Sequence, residues 1–316
     1  MTVKLSIIVP TYLRNDSLPR LLDAFSRQTH TNFEVLVVDQ NPDDTVPPWV
    51  DKYSSALPLR RIHLTEPNAS TARNHGFKTS DGDVVLFVDD DLIPEPDFCA
   101  RGLEILRLHG DTIKCLCPVI VVDGKDTGKE HVIPDTQLHD SSLHRLKNSI
   151  TAAVFFDRDF FAQTGGFDEL LFQYARTAED QELFLRMNTR GMTYWLDKSM
   201  RIDHDETAPG GCELRTDKYW NTRERCIKSW VLRHRIHGGQ RGRLNARDLY
   251  ILSRSAVLNR GVLGSGVATI LKNINLLRTA ISDSREKLAP HLDHYQSIDS
   301  INHLADKGMP VAPKSS

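Results

Sequence analysis

Three consecutive aspartates, Asp89, Asp90 and Asp91, follow the apolar run VVLFV at 84–88. Adjacent carboxylates at the end of a buried strand repel one another unless a cation lies among them. Oxygen ligands suit Mg²⁺ or Mn²⁺, which bind one or two protein carboxylates and take their other ligands from phosphates and water. If strand alternation continued, Asp89 and Asp91 would point to one side and Asp90 to the other. The segment alone also fits a solvated turn with aspartates that cap a helix.

Other polar groups stand at comparable places in the sequence. Asp39 ends the apolar run FEVLVVD, and the segment NASTARN at 68–74 opens a helix with small residues and Arg73. A helix N-terminus with an arginine one turn in can neutralise phosphate charge. Glu179 and Asp180 open a second helix, where helix capping is the alternative role for acidic side chains.

The elements that must position these groups alternate between strands and helices. Strands are predicted at 5–10, 33–39, 59–64 and 83–88, and helices at 17–28, with Ser17 as the N-cap, and at 69–78. Strands that are apolar on both faces and joined by helices indicate a mostly parallel sheet covered on both sides. Such sheets bind ligands beyond the carboxyl ends of their strands, where Thr11, Tyr12, Asp39 and the three aspartates fall.

Six segments in this order resemble the family 2 glycosyltransferases, whose catalytic domain has the GT-A fold. They are SIIVPTY at 6–12, EVLVVD at 34–39, ARNHG at 72–76, LFVDDD at 86–91, GGFDE at 165–169 and ED at 179–180. The resemblance covers about residues 3–205. It implies an α/β nucleotide-diphospho-sugar transferase fold with a mostly parallel mixed sheet and flanking helices. We expect a catalytic domain at 1–215 and a helical, basic region at 216–316.

The resemblance also implies roles for individual residues. Pro10, Thr11, Tyr12, Asp39 and Arg73 would hold the base and ribose of a nucleotide-sugar. Asp91 and Asp89 would belong to the metal site, Asp91 by direct contact and Asp89 through the ribose or a metal-bound water, with Asp90 as the alternative because the register of the three is open. His204 would be a further metal ligand or a structural residue. Asp180 would be the catalytic base with Glu179 beside it, and Gly166, Phe167, Asp168 and Glu169 would line the acceptor side.

The implied activity is inverting transfer of a sugar, with Mn²⁺ or Mg²⁺, from a nucleotide-diphosphate donor to an acceptor hydroxyl. A UDP-sugar is the default donor, and a sugar or a lipid-linked molecule in polysaccharide or glycolipid synthesis is the expected acceptor. Inversion is expected because no second carboxylate suggests a double displacement. The alternatives are a nucleotidyltransferase, a nucleotide-sugar hydrolase and a noncatalytic sugar-binding relative. A nucleotidyltransferase would need a glycine-rich loop where this chain reads PTYLR at 10–14.

Two departures from the family pattern affect the site. After Asp39 the chain reads Gln40-Asn41-Pro42, where the family often has Asp-Gly-Ser, so the contact with the base is open. The stretch 170–177 between the glycine motif and Glu179 is longer than expected, which suggests a modified acceptor pocket.

The composition of the 316 residues is that of a globular protein, with 40% hydrophobic residues and a net charge of -2. We expect a cytoplasmic protein, since no apolar leader or membrane-spanning run is visible. Cys115 and Cys117 are expected to be buried thiols in a strand. Between residues 215 and 260 there are 12 Lys and Arg against 3 Asp and Glu, on an amphipathic helix. We expect a packing helix, with peripheral contact at the inner membrane face as the alternative and no nucleic-acid partner.

Overall fold

The computed structural model describes residues 3–14, 16–44, 47–126, 132–133, 141–205, 218–237, 244–257 and 266–306. Contacts divide the chain into two compact units. The first comprises Met1–Phe167 and Leu183–Leu214, and the second comprises Asp168–Glu182 and Arg215–Ser316. The boundary predicted after residue 215 lies outside the described residues. The division into 1–215 and 216–316 therefore stays a prediction.

The first unit contains one mixed sheet, with eleven strands over the described residues. The strands are β1 (Leu5–Thr11), β2 (Phe33–Asp39), β3 (Leu59–His63), β4 (Val84–Val88), β5 (Leu92–Pro94), β6 (Cys115–Val122), β7 (Lys125–Asp126), β8 (Val132–Ile133), β9 (Leu143–Leu146), β10 (Ala153–Asp157) and β11 (Trp195–His204). Their order is β3-β2-β1-β4-β10-β6-β11-β9-β8, with β5 paired to β11 and β7 paired to β6.

The half of the sheet that carries the aspartates is parallel. Strand β1 pairs in parallel with β2 and β4, and β2 pairs with β3. Strands β2 and β4 are buried along their whole length, because helices cover both faces of the Val- and Leu-rich runs. Strand β10 runs antiparallel to β4 and β6, while β6 and β11 are parallel. The predicted α/β fold with a mixed sheet and flanking helices is confirmed.

Helices pack a hydrophobic core onto each face of this sheet. The first unit contains α1 (Ser17–Ser26), α2 (Pro48–Tyr53), α3 (Ala69–Thr79), α4 (Phe98–Leu108), α5 (Arg158–Thr164) and most of α7 (Glu179–Thr189). Leu5 and Ile7 belong to one core and Ile8 to the other, as alternation along β1 requires. The prediction that Ser17 is the N-cap of α1 is wrong. Asp16 occupies that position and already has helical torsion angles, so the helix begins one residue earlier than expected.

Strand β11 pairs with β9 near its start and with β5 near its end, and an irregular stretch separates the two parts. Its residues 195–197 pair with β6 and β9, and its residues Ile202–His204 pair with β5. Against β6, Asp197 is opposite Pro118 while Arg201 is opposite the next residue, Val119, so 198–200 form a bulge. The second half of the strand thereby sets His204 opposite Leu92, next to Asp91.

The second unit is helical over its described residues. It contains α6 (Glu169–Ala175), the first turn of α7, α8 (Lys218–His237), α9 (Ala246–Ala256) and α10 (Val267–Asp306). Its core combines side chains of α8, α9 and α10: Ile227, Val231, Leu252, Ala256, Leu277 and Ala280. A smaller cluster packs α6 against α8. The predicted helical C-terminal region is therefore present, and the long stretch after Glu169 folds as α6.

The cations of α8 are largely bound within the second unit. Arg223 donates from Nε to Asn273 Oδ1 at 2.9 Å and from Nη2 to the Ala256 carbonyl at 2.7 Å. Arg235 donates to Ser284 Oγ and to the Ile281 carbonyl. Burial lowers the pKa of Arg233. These contacts favour the interpretation of α8 as a packing helix. Within the described residues, no helix is both long and apolar enough to cross a bilayer.

Three of the described cysteines lie in the packed interior of the first unit. Cys99, Cys115 and Cys117 are buried, and burial raises the pKa of Cys115 well above its ordinary value. The prediction of buried thiols at Cys115 and Cys117 is confirmed.

Candidate functional site

The three aspartates leave the sheet in two directions. Strand β4 ends at Val88, and the chain turns at 90–91 before β5 begins. The side chain of Asp89 is 33% exposed, whereas Asp90 and Asp91 are buried. The alternation expected along the three residues is wrong, because strand geometry does not continue past Val88. Asp90 and Asp91 share one environment and Asp89 has another.

Asp90 is a buried carboxyl group held by the neighbouring strand. Thr11 lies at the carboxyl end of β1, and its Oγ1 donates to Asp90 Oδ2 at 2.6 Å. Arg14 Nε lies 3.8 Å from Asp90 Oδ1. Burial raises the pKa of Asp90 to about 8, a shift that the hydrogen bond from Thr11 opposes and the charge of Asp91 reinforces. Asp90 is therefore largely protonated near neutral pH.

Asp91 lies between two basic side chains. Arg14 Nη1 is 3.0 Å from Asp91 Oδ2, and His204 Nε2 is 3.3 Å from Asp91 Oδ1. The pairing of β5 with β11 brings the histidine here, and the backbone N–H of Asp205 donates to the Asp91 carbonyl at 2.9 Å. The structure thus brings together Asp91 and His204, two of the three predicted metal ligands.

Asp89, the third predicted ligand, pairs with an arginine. Arg73 Nη2 donates to Asp89 Oδ1 at 2.8 Å, and the Arg73 guanidinium lies 5.3 Å from the centre of the Phe167 ring. Arg73 stands in the second turn of α3, whose N-terminus is capped by the Asn68 side chain. This arrangement sets a cation and a helix N-terminus beside the aspartates, as a phosphate-binding site requires.

The residues around Asp91 suit a hard divalent ion. Among the described residues, no group of three or more His, Cys, Asp and Glu side chains is arranged to hold a metal. Mn²⁺ and Mg²⁺ need only one or two protein ligands when phosphate oxygens and water supply the others. The 3.3 Å between Asp91 Oδ1 and His204 Nε2 is close to the roughly 3 Å expected for neighbouring ligands at bond lengths of about 2.1 Å. The pair therefore fits a metal that arrives with a diphosphate.

Asp39 is fully buried, and both of its carboxylate oxygens are bound. Arg61 Nε donates to Oδ2 at 2.8 Å, and the backbone N–H of Asn41 donates to Oδ1 at 3.0 Å. Gln40 donates from Nε2 to the carbonyls of Glu66 and Asn68. These bonds hold the turn after β2 against the entrance to α3. Contact between Asp39 and a nucleotide base stays a prediction, and so do the roles of Pro10 and Tyr12, which are partly buried.

Sequence reasoning missed two arginines of this site. Arg14 binds the buried carboxylates, and Arg61 joins Asp39 to Asp44. Arg14 follows Leu13, whose φ of 56° is left-handed. A lone arginine after a strand carries no sequence signal that separates it from a surface residue. Arg61 could have been suspected because it lies on β3, next to the strand that carries Asp39.

Residues 165–167 of the glycine motif form a tight turn that packs on Asn74 in the first unit. Asn74 Nδ2 donates to the Phe167 carbonyl at 2.9 Å, and its Oδ1 accepts from the Phe167 N–H at 2.8 Å. The Phe167 ring is buried against Phe87 and Phe161. Gly166 has a φ of +81°, and a Cβ there would lie 2.7 Å from Asn74 Oδ1. Glycine is therefore required at this position on two grounds.

The remaining predicted residues belong to the second unit. Asp168 is buried and accepts from the backbone N–H of Leu171, so it caps α6, and Glu169 is the first residue of that helix. Glu179 and Asp180 lie in the first turn of α7 and are partly buried. The negative charges of Asp180 and Glu182 act on Arg233 of α8. The acceptor-side and catalytic roles of these residues stay predictions.

The turn at Gly166 gives a stability prediction. We expect Gly166→Ala to lower the free energy of unfolding by about 2–4 kcal/mol, since it adds backbone strain and displaces Asn74 from Phe167. Gly191→Ala is the matched control, because Gly191 has a φ of +71° with no atom within 4 Å of an added Cβ. Thermal and denaturant unfolding measure both variants. Equal losses in the two would show that the contact with Asn74 contributes nothing.

Asp90 gives a pH prediction for the metal-free protein. The pKa of Asp90 in the folded state, about 8, lies above its value in the unfolded state. Between about pH 4 and pH 8 the folded state therefore holds a proton that the unfolded state has released. The free energy of unfolding falls as the pH rises through this range. Asp90→Asn removes this loss, which is at most about 1.4 kcal/mol per pH unit. Urea unfolding in EDTA between pH 5 and 8 measures it, with the exposed Asp51→Asn as control. A slope in Asp90→Asn as steep as that of the unmodified protein would contradict the burial argument.

Known proteins are similar in sequence to a large part of this chain. The profile of Glycosyl transferase family 2 matches residues 6–165, about half of the chain. An uncharacterized glycosyltransferase of Haemophilus influenzae is 30% identical over 188 residues, which cover 58% of this chain and 61% of that protein. The poly(ribitol-phosphate) beta-N-acetylglucosaminyltransferase TarP of Staphylococcus aureus is 27% identical over 211 residues, which cover 64% of this chain and 61% of TarP. The matched region thus spans less than two thirds of either relative.

Solved structures show the same fold at low identity. Residues 1–349 of S. aureus TarS, in complex with UDP-GlcNAc, match with a TM-score of 0.56 and 18% identity, covering 98% of this chain and 93% of that one. GalNAc-T7 with UDP, GalNAc and Mn²⁺ matches with a TM-score of 0.56 and 14% identity, covering 80% and 55%. By the family profile, which matches half of its length in the region that carries the aspartates, the chain belongs to glycosyl transferase family 2.

Proposed function

We propose that this protein transfers a sugar from a nucleotide-diphosphate donor to an acceptor hydroxyl, with inversion at the anomeric carbon. The observation that carries the proposal is the cluster at the carboxyl ends of β1 and β4, where Asp91 adjoins His204 and Arg73 adjoins Asp89. The crevice beyond such strand ends is where open α/β sheets bind nucleotides. Family membership supports transfer of a sugar over transfer of a nucleotidyl group.

The donor we propose is a UDP-sugar. A structure with the same fold, that of TarS, was solved in complex with UDP-GlcNAc. Arg73 and the N-terminus of α3 would attract the diphosphate, and Thr11 and Tyr12 would lie toward the nucleoside. Asp39 would act on the base through the turn that it holds, because its own oxygens are already bound to Arg61 and Asn41.

Mn²⁺ or Mg²⁺ is the proposed cofactor, with Asp91 and His204 as the protein ligands. The bound ion would supply positive charge that stabilises the departing diphosphate. Asp89 orients Arg73, which would add a second positive charge at the same place. Arg14 neutralises Asp91 and would have to share or release that carboxylate when the ion binds.

Asp180 is the proposed general base. It would accept the proton of the acceptor hydroxyl as that oxygen attacks the anomeric carbon. The charges of Asp180 and of the Arg233 guanidinium of α8 attract each other. Glu179 would assist in positioning, and Gly166, Phe167, Asp168 and Glu169 would shape the acceptor side. The acceptor we propose is a sugar or lipid-linked molecule in cell-surface polysaccharide synthesis.

Donor binding gives the first functional prediction. UDP-GlcNAc with Mn²⁺ should raise the melting temperature, because a ligand at 100 times its Kd stabilises the folded form by about 2.7 kcal/mol. EDTA or Asp91→Asn should remove the Mn²⁺-dependent part of the shift. Asp97→Asn, an exposed aspartate at the start of α4, is the matched control. Absence of any shift with UDP-, GDP- and dTDP-sugars, with and without metal, would contradict the proposal.

Catalysis by Asp180 gives the second prediction. Asp180→Asn should lower the turnover of donor by about 10²–10⁴-fold, the usual contribution of a general base, and leave the donor-induced shift nearly unchanged. Asp159→Asn makes the same change in the first turn of another helix, α5, and should keep full activity. Release of UDP with and without acceptor separates transfer from hydrolysis. Equal loss of binding and turnover in Asp180→Asn would remove Asp180 from the role of base.

A further inference from the structure

Helices α9 and α10 expose an unusual amount of apolar surface. On α9, the consecutive residues Leu249, Tyr250 and Ile251 are all exposed, Tyr250 by 60%. On α10, Val267, Leu271 and Ile274 are exposed and recur at helical spacing, Val267 by 71%. Three consecutive exposed apolar residues are unfavourable in water unless they serve a function. We call these six residues together the apolar surface of α9 and α10.

The hydrophobic core of the second unit is formed by other residues of these helices. The core side of α9 is formed by Leu252 and Ala256, and that of α10 by Leu277 and Ala280. Asn245 and Asp248 form a capping box that starts α9. The six apolar side chains are not part of this core, and Tyr250, Leu271 and Val267 are each more than half exposed.

Close in sequence to these apolar residues the exposed charges have one sign, while Asp283 and Glu286 lie further along α10. In the described residues 244–257 and 266–281, every exposed charged side chain is a cation: Arg247, Arg254, Lys272 and Arg278. The acidic residue in these ranges, Asp248, is buried in the capping box. Arg247 and Arg254 flank the three apolar residues of α9, while on α10 Lys272 follows Leu271 and Arg278 lies one turn beyond Ile274. This mixture of apolar and cationic side chains is typical of helices that lie in the interface of an anionic membrane.

The cations argue against a second copy of the chain as the partner. A two-fold interface would bring the same patch of both copies together and bury four cations from each, with no exposed carboxylate in these two ranges to pair with them. Like charges brought together in an interface cost several kcal/mol by general estimates. An anionic lipid surface would instead attract the same four cations.

We propose that the apolar surface of α9 and α10 docks the protein on anionic lipid bilayers. The apolar side chains would enter the boundary between headgroups and acyl chains, while Arg247, Arg254, Lys272 and Arg278 bind lipid phosphates. This assigns membrane contact to α9 and α10 instead of α8, whose Arg223 and Arg235 are bound inside the unit. The surface binds without donor or acceptor, so the proposal does not rest on the transferase activity.

Vesicle binding of the full chain tests the proposal. We expect the protein to float with phosphatidylcholine vesicles that contain about 30% phosphatidylglycerol, and not with pure phosphatidylcholine, and to dissociate as salt is raised. The combined change Leu249→Gln, Tyr250→Gln and Ile251→Gln should lower partitioning by at least about tenfold. Arg247→Gln and Lys272→Gln should each lower it about fivefold.

The controls separate docking from general effects of the substitutions. Leu108→Gln with Ile150→Gln removes two apolar side chains that are 57% and 45% exposed in the first unit, and should leave binding unchanged. Val267→Gln with Leu271→Gln is a second test in case the α9 variant does not fold. An unmodified protein that fails to bind anionic vesicles would overturn the proposal. So would wild-type binding by both folded variants, or a dimer in light scattering that the α9 changes dissociate.

Discussion

The burial of two adjacent carboxyl groups at the end of β4 is the constraint on which the candidate site depends. Asp90 and Asp91 lie in the interior of the first unit, where an unpaired negative charge is costly. The protein meets this cost with a hydrogen bond from Thr11, a raised pKa at Asp90 and the guanidinium of Arg14 beside Asp91. Strands β1, β4 and β11 must therefore end at the same edge of the sheet, or these groups would not meet.

This arrangement leaves the carboxylate of Asp91 beside His204, where a divalent metal ion would bind. Asp90, largely neutral, acts as a structural partner of Thr11, and Asp91 carries the charge beside His204. Asp89 accepts a hydrogen bond from Arg73, so each of the three aspartates has a different partner. Consecutive identical residues thus obtain different properties from their surroundings alone.

Much of this architecture could be predicted from sequence, because its signals are local. The apolar runs of β1, β2 and β4 and the helical spacing of α3 fix these elements, and the order of motifs fixed the family. The turn after Val88 broke the expected alternation, because a strand end has no local signal among identical aspartates. Arg14 and Arg61 were missed since their roles arise from contacts between distant strands. Helix α6 was missed because it packs on α8, which is far away in sequence.

The bulge at 198–200 has a consequence for how this chain can vary in length. Side chains along a strand alternate between faces, so removing or adding one residue in the bulge would shift the register of Ile202–His204 against β5 and turn His204 away from Asp91. Substitutions at these three positions keep the count and preserve the register. The exposed positions Lys198 and Ser199 therefore tolerate changes of residue type far better than insertions or deletions, whereas Met200 is buried in the hydrophobic core.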